Sequence, residues 1–371
     1  MLPARTAIVP PLYQRLSLII LGLSVLVAVL WLTQDLVVPL LFALLLAILL
    51  DPLVKIFSRW GLKRELGIAL AVALAMLMLA AVGYFVVTQA ANFSAAIPEL
   101  KGKIQDTGQR IENWMRDSAT MQPDELHDAV AKVKQEGMDS GGIILGKTLT
   151  TVGALFGFFF LLPVFTFLII HYKPLFHNFL TILFAREEQE ALNEVLGETK
   201  SVVQSFLVGR MFETIILVGM NWLGLVLIGV PYALLLAVIG ALMNLVPYIG
   251  MIVATFITVL VAFALVDLTA ALWVLAVYSL IQFIDNQFLT PLVVGARVQI
   301  NALFSIVAVI AGGLLWGIPG MFLAIPLFGI LKVVFDRVPE LEPWGYVLGT
   351  GEKSRKTPRR SLRRNKQRPA Q

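Results

Sequence analysis

Gln282, Asp285 and Asn286 stand at i, i+3 and i+4, so on a helix they share one face. An ionisable group inside an apolar span is costly and usually functional, which makes Asp285 a candidate proton or cation site. Its position at the end of an apolar run is equally compatible with a solvated headgroup level. Asn244 carries two donors and an acceptor on one amide, suited to a polar solute or to backbone groups freed by a helix break. Tyr248 adds an aromatic face and one hydroxyl. Pro247, Gly250, Gly317 and Gly320 mark two breaks in long apolar stretches, and they complete the candidate pathway. Arg297 offers a counter-charge to Asp285. Arg210 and Glu213, three residues apart, read as an ion pair near an interface. Asn221, eight residues after Glu213 on roughly the same helix face, reads as polar glue between helices. His127, His171 and His177 are scattered, and no HExxH, GxSxG, paired-cysteine or phosphate-loop pattern occurs. The expectation is therefore no enzyme, no metal and no cofactor.

Composition sets the solvent in which these groups must work. Of 371 residues 58% are hydrophobic and 14% charged, with mean hydropathy +0.84. Soluble proteins carry about a quarter charged residues. An all-α polytopic membrane protein follows, with about six full spans. Cysteine is absent, which removes disulfide and thiolate chemistry. Leu16–Leu32 is long for a signal peptide's apolar core and lacks a small-residue cleavage site, so it reads as a retained first helix. The net charge of +5 is carried by the tail: Glu352–Gln371 holds nine Lys/Arg and one acid. That tail fits a cytoplasmic location with contact to anionic lipid; nucleic-acid binding is the weaker reading.

The elements that position the polar groups follow from apolar runs of about 20 residues. Leu16–Leu32, Leu36–Leu50 and Leu66–Val87 are read as three spans making a scaffold over residues 1–87. Gln34-Asp35 is the first turn, and Asp51–Glu65 is a basic cytoplasmic loop. Residues 88–147 form an extracytoplasmic insert of amphipathic helices, and residues 148–172 a fourth span. Residues 173–210 form a cytoplasmic amphipathic segment. Residues 211–335 form the transport unit, with spans at Met211–Val230 and Leu268–Phe283. Residues 336–371 are expected to be a disordered tail.

Ala233–Leu265 is broken at Asn244–Gly250, and Ala302–Phe335 at Gly312-Gly313 and Trp316–Gly320. One straight helix of that length would reach roughly 50 Å at 1.5 Å per residue, against a core of about 30 Å. Two spans and a turn would need more chain. A helical hairpin with its tip in the membrane fits both stretches. Irregular backbone at that depth survives only where buried or lining a wet cavity. Span plus hairpin then occurs twice in opposite orientation, an inverted repeat that places a site near the midplane. A basic tail on the inside agrees with two hairpins or with two single spans, and disfavours a mixture.

Three motifs carry a resemblance. Asn244-Leu245-Val246-Pro247-Tyr248-Ile249-Gly250, then Asp285-Asn286 with Pro291–Gly295, then Gly312-Gly313 with Gly317–Gly320 and Ala324-Ile325-Pro326, resemble the autoinducer-2 exporter (AI-2E) family of bacterial membrane proteins. The order of spans, polar insert and glycine-proline-rich half is similar too. The basic loop and tail place both termini on the cytoplasmic side; the resemblance implies an inner-membrane transporter, homo-oligomers of five copies, and export of the furanone signal autoinducer-2 in some members. It also implies sodium/proton antiport in others. The expected partners are the lipid bilayer and a small polar solute or ion. The rival readings are a cation/proton antiporter of the same fold and a non-transporting membrane scaffold.

Overall fold

Long apolar runs without internal breaks become long helices, and the breaks fall at glycine, proline and capping residues. The computed structural model describes residues 11–94, 102, 158–184, 189–246, 249–294, 300–338 and 341–349. Within them the chain forms α1 (Leu12–Leu32), α2 (Gln34–Arg59), α3 (Arg64–Ser94), α4 (Phe158–Leu183) and α5 (Gln189–Ile228). There follow α6 (Ala233–Met243), α7 (Ile249–Leu265), α8 (Leu268–Ile284), a π-helical stretch Asp285–Val294, α9 (Ala302–Arg337) and α10 (Glu342–Leu348). No strand occurs among the described residues. By length and composition alone six helices are apolar enough to cross a membrane: α2, α3, α4, α5, α8 with its π extension, and α9, which is two arms meeting at Trp316-Gly317. The protein is an all-α, multi-pass membrane protein.

Local chemistry explains the ends. Asp267 caps α8 by accepting from the Ala270 amide at 2.7 Å, and Asn301 caps α9 from Phe304 at 2.9 Å. α5 stops at Gly229, whose φ of +85° suits glycine. The Val230 amide reaches back to the Leu225 carbonyl and Gly229 to Val226. Leu225 and Val230 share a buried cluster, completing a Schellman stop. Pro291, without an amide proton, lies inside the π-helical stretch, where regular α hydrogen bonding has already been given up.

α5 is the shared wall of the bundle. Val203, Phe206 and Leu207 pack with Leu45 of α2 and Leu323 of α9. Further along, Leu225 packs with Leu236, Val261, Ala271, Val274 and Tyr278 from α6, α7 and α8. A separate cluster joins α2, α3 and α4 through Leu50, Ile68 and Ile170. Ion pairs tie one end together. Asp51 of α2 accepts from Lys173 of α4 at 2.7 Å and from Lys200 of α5, with Lys55 at 3.4 Å. Arg337 of α9 meets Glu194 and Glu198 of α5 at the same end.

Several boundaries differ from the expected ones. The turn after the first helix is the single residue Thr33; Gln34 and Asp35 open α2. The basic loop shrinks to residues 60–63, because α2 continues to Arg59. α4 runs on to Leu183. The amphipathic segment and the fifth span are one helix of 40 residues, since nothing between Gln189 and Ile228 breaks it. The stretch expected to be disordered begins as the last turn of α9 and includes α10. Only residues 88–94 and Gly102 of the insert are described.

The two broken stretches take the shape of paired arms. α6 and α7 flank the first break, and Gly250 lies directly against the Met243 carbonyl. In α9 the break is narrower than expected: Gly312 and Gly313 remain helical, and only Trp316 and Gly317 depart. Gly317 has φ +64° and ψ −144°, a conformation for glycine. The backbones of Gly312 and Gly320 touch. In one straight helix those residues would be about 12 Å apart, so the chain reverses at Trp316-Gly317. Asn301, before the first arm, bonds Val347 and Gly349 beyond the second, which closes the open end.

Candidate functional site

Polar side chains converge where α5, α6, α7 and α8 meet. Leu217 and Asn221 come from α5, and Gly240 from α6 with Asn244 just after it. Met251 and Ala254 come from α7, and Tyr278, Ile281 and Gln282 from α8. They border a cavity of only about 20 Å³. The space is so narrow that only about one or two waters fit. Three amides and one phenol hydroxyl in an otherwise apolar wall are what a small polar, uncharged solute requires of a site. Tyr278 receives a hydrogen bond from Thr258 of α7 at 3.3 Å, which fixes its hydroxyl beside Gly240.

A charged cluster adjoins this cavity. The Asn244 amide donates to Asp285 Oδ2 at 3.2 Å. Glu213 Oε1 accepts from Arg210 at 2.5 Å and from the Thr290 hydroxyl at 3.2 Å. Glu213 is 1% exposed and Asp285 2%, although both are carboxylates. Asn244 therefore belongs to both groups: its side chain lines the cavity and holds Asp285.

The residues singled out in the sequence divide accordingly. Asn244 and Gln282 line the cavity, and Asp285 stands behind Asn244. Asn286 is exposed and accepts from Gln282 at 3.1 Å, so it touches the cavity only through that amide. Gly250 is buried in the first turn of α7, where it sets the spacing of the two arms. Gly317 and Gly320 lie in α9, which packs on α1, α2 and α5, and they do not line the cavity. Pro247, Tyr248 and Arg297 lie outside the described residues. Gly240 and Tyr278 join the arrangement from the structure, while Asn221 and Glu213, read in the sequence as helix glue and half of an ion pair, take places beside them. Two of them left a signal: Tyr278 is one turn before Gln282, and Asn221 two turns after Glu213.

A multi-pass helical bundle with a small polar cavity between its helices has the architecture of a membrane transporter. The chain belongs to the AI-2E transporter family, whose model matches residues 19–340. It is 29% identical over 326 residues to "Putative permease PerM" of Escherichia coli, covering 83% of this chain and 88% of that one. It is 25% identical over 321 residues to "Putative transport protein YueF" of Bacillus subtilis, covering 82% and 84%. "AI-2 transport protein TqsA" of Escherichia coli is 23% identical over 307 residues, covering 82% and 86%.

Gly240 offers a test of the cavity that spares the fold. A Cβ there would meet the Tyr278 hydroxyl at 3.6 Å, Ala254 at 3.7 Å and Asn221 at 3.9 Å, all ordinary contacts. Gly240→Ala should leave melting in detergent unchanged or slightly raised, because alanine favours helix. Its methyl enters the small cavity that Gly240 lines, so solute flux should fall several-fold. Full flux with an intact fold would remove Gly240 from the path.

Proposed function

We propose that this protein moves a small polar solute across the bacterial inner membrane by alternating access. The solute passes through the cavity framed by Asn221, Asn244, Tyr278 and Gln282. The carrying observation is that these four hydrogen-bonding side chains gather inside an apolar helix bundle. The site has no room for a solute in this arrangement, which fits an occluded state whose helices part to load it. Autoinducer-2, named for the relative TqsA, is the first solute to try, since a small polyhydroxylated ring matches a ring of amides.

In this reading residues 211–335 are the moving unit, and α1 to α4 with the insert 88–147 are the scaffold and the contact between copies in a homo-oligomer. The arms of α6/α7 and of α9 enter the bilayer as re-entrant hairpins from opposite sides, and their tips, Pro247–Gly250 and Gly317–Gly320, act as gates. Both termini are cytoplasmic. The experiment is efflux of autoinducer-2 from proteoliposomes containing the full chain. Asn244→Ala and Asp285→Asn should each slow efflux at least about tenfold, the equivalent of about 1.4 kcal/mol in the barrier. Wild-type rates in both folded variants would refute the site.

A further inference from the structure

Three lysines from three helices close on a single carboxylate. Asp51 of α2 accepts from Lys173 of α4 at 2.7 Å and from Lys200 of α5, and Lys55 of α2 stands 3.4 Å away. Asp51 is buried, whereas the Lys55 and Lys173 side chains are 64% and 53% exposed. Each ammonium carries three donors and the carboxylate has only two oxygens, so most of the donors are left for another acceptor. A fourth cation stands at the same level. Pro174 has no amide proton, which leaves the Ile170 carbonyl without its helical partner. Arg64 of α3 donates to that carbonyl at 3.3 Å and to the His171 carbonyl at 3.5 Å. Its guanidinium is thereby held beside the turn that bears Lys173, bonded to no carboxylate among the described residues. Lys173 and Lys200 lie about 15 Å along α4 and α5 from the ends of those helices at Leu183 and Gln189. The link between the two helices therefore starts well away from the cluster.

We propose that Lys55, Lys173 and Lys200 bind the phosphate of an anionic phospholipid, with Asp51 holding the three lysines in place for it. A free phosphate shares the charge chemistry, but the surface around the lysines favours a lipid. Tyr172 and Phe176 of α4, and Trp60 at the end of α2, are large exposed side chains on the same helix ends. Phe176 follows Lys173 by three residues, on the same side of the helix. Aromatic rings at the end of a span sit at the headgroup level of a bilayer. Lysines there lay their stems on apolar surface and keep their charge in water. Basic pockets between spans at the cytoplasmic end are where anionic headgroups bind. A phosphate on these lysines joins α2 and α4 to α5, the helix that carries Asn221 of the cavity further along. The lipid site itself stands on the lysine geometry and does not depend on the transport reading.

Phe176→Cys, exposed and close to Lys173, gives this cysteine-free chain a place for a fluorophore at the site. The full-length labelled protein goes into phosphatidylcholine vesicles with a trace of nitroxide lipid. The nitroxide sits just below the headgroup of either phosphatidylglycerol or phosphatidylcholine. Phosphatidylglycerol should quench several-fold better at equal content. Adding Lys55→Gln and Lys173→Gln should remove most of that preference, since each basic residue at an anionic surface is worth about fivefold in binding. Asp51→Asn removes the competing carboxylate and should raise the preference. The basic tail is present in every variant, so the differences between them belong to the lysine cluster. Equal quenching by the two lipids overturns the proposal, as does an undiminished preference in the glutamine variant. Relief of the quenching by millimolar inorganic phosphate assigns the lysines to a free anion and overturns the lipid. Where the glutamine variant fails to fold, Asp51→Asn decides: an unchanged or lowered preference rejects the site.

Discussion

Gly320→Ala should be among the most damaging single-methyl changes in this protein. A Cβ on Gly320 would stand 2.0 Å from the Gly312 carbonyl oxygen and 2.7 Å from its carbon. Both are backbone atoms of the facing arm, and no rotamer change can move them. Gly312→Ala meets the same obstacle in reverse, 2.4 Å from the Gly320 oxygen. The arms of α9 must then part, which breaks the Ala308, Val309 and Ala324 contact between them. Gly250→Ala should act alike on the other pair, since its Cβ would lie 1.7 Å from the Met243 oxygen. Overpacking typically costs about 1–3 kcal/mol, and backbone clashes lie at the upper end. The check is thermal unfolding in detergent, following the monodisperse fraction on size exclusion. All three variants should melt well below wild type, while Gly240→Ala does not. An unshifted Gly320→Ala would mean that the arms of α9 are not packed through their glycines.

The second large effect concerns Arg210. Its partner Glu213 is almost fully buried, and Arg210 itself is only 15% exposed along its side chain. Arg210→Ala leaves the buried Glu213 carboxylate without its ion-pair partner. Removing one partner of a buried ion pair costs about 3–5 kcal/mol. The double change Arg210→Met with Glu213→Leu removes charge of both signs and keeps the volume apolar. It should be more stable than Arg210→Ala alone, even though it alters more atoms. Chemical unfolding of the three proteins side by side checks this. A double variant less stable than the single would show that the guanidinium contributes by packing and not as a counter-ion.

How much of this could be read from the sequence depends on whether the cause was local. The breaks at Asn244–Gly250 and Trp316–Gly320 were legible because glycine and proline act on their own backbone. Helix continuity across Gln189–Ile228 was not. The boundary at residue 210 followed the start of the apolar run, yet a change in polarity ends only the apolar environment of a helix and leaves its hydrogen bonding intact. Arg210 with Glu213 was legible as a pair three residues apart. The Thr290 bond to Glu213 was not, because it needs α5 and the π-helical stretch side by side. Asn221 looked like glue between helices for the same reason. Its neighbours Asn244, Tyr278 and Gln282 come from other elements, and no spacing along one helix announces them. The resemblance carried by the glycine-proline motifs agrees with the family match over residues 19–340.

The central claim is that the cavity between α5 and α8 is the solute's path, opened in turn to each side. Absence of native cysteine makes a direct measurement available. Gln282→Cys and Asn221→Cys, introduced one at a time, can be exposed to a membrane-impermeant thiol reagent from either face of sealed vesicles. Alternating access predicts labelling from both faces, slowed by autoinducer-2 on each, with exposed Leu314 in α9 replaced by cysteine as a control that the solute does not protect. Labelling from one face only, or at neither position, with flux intact, would contradict it.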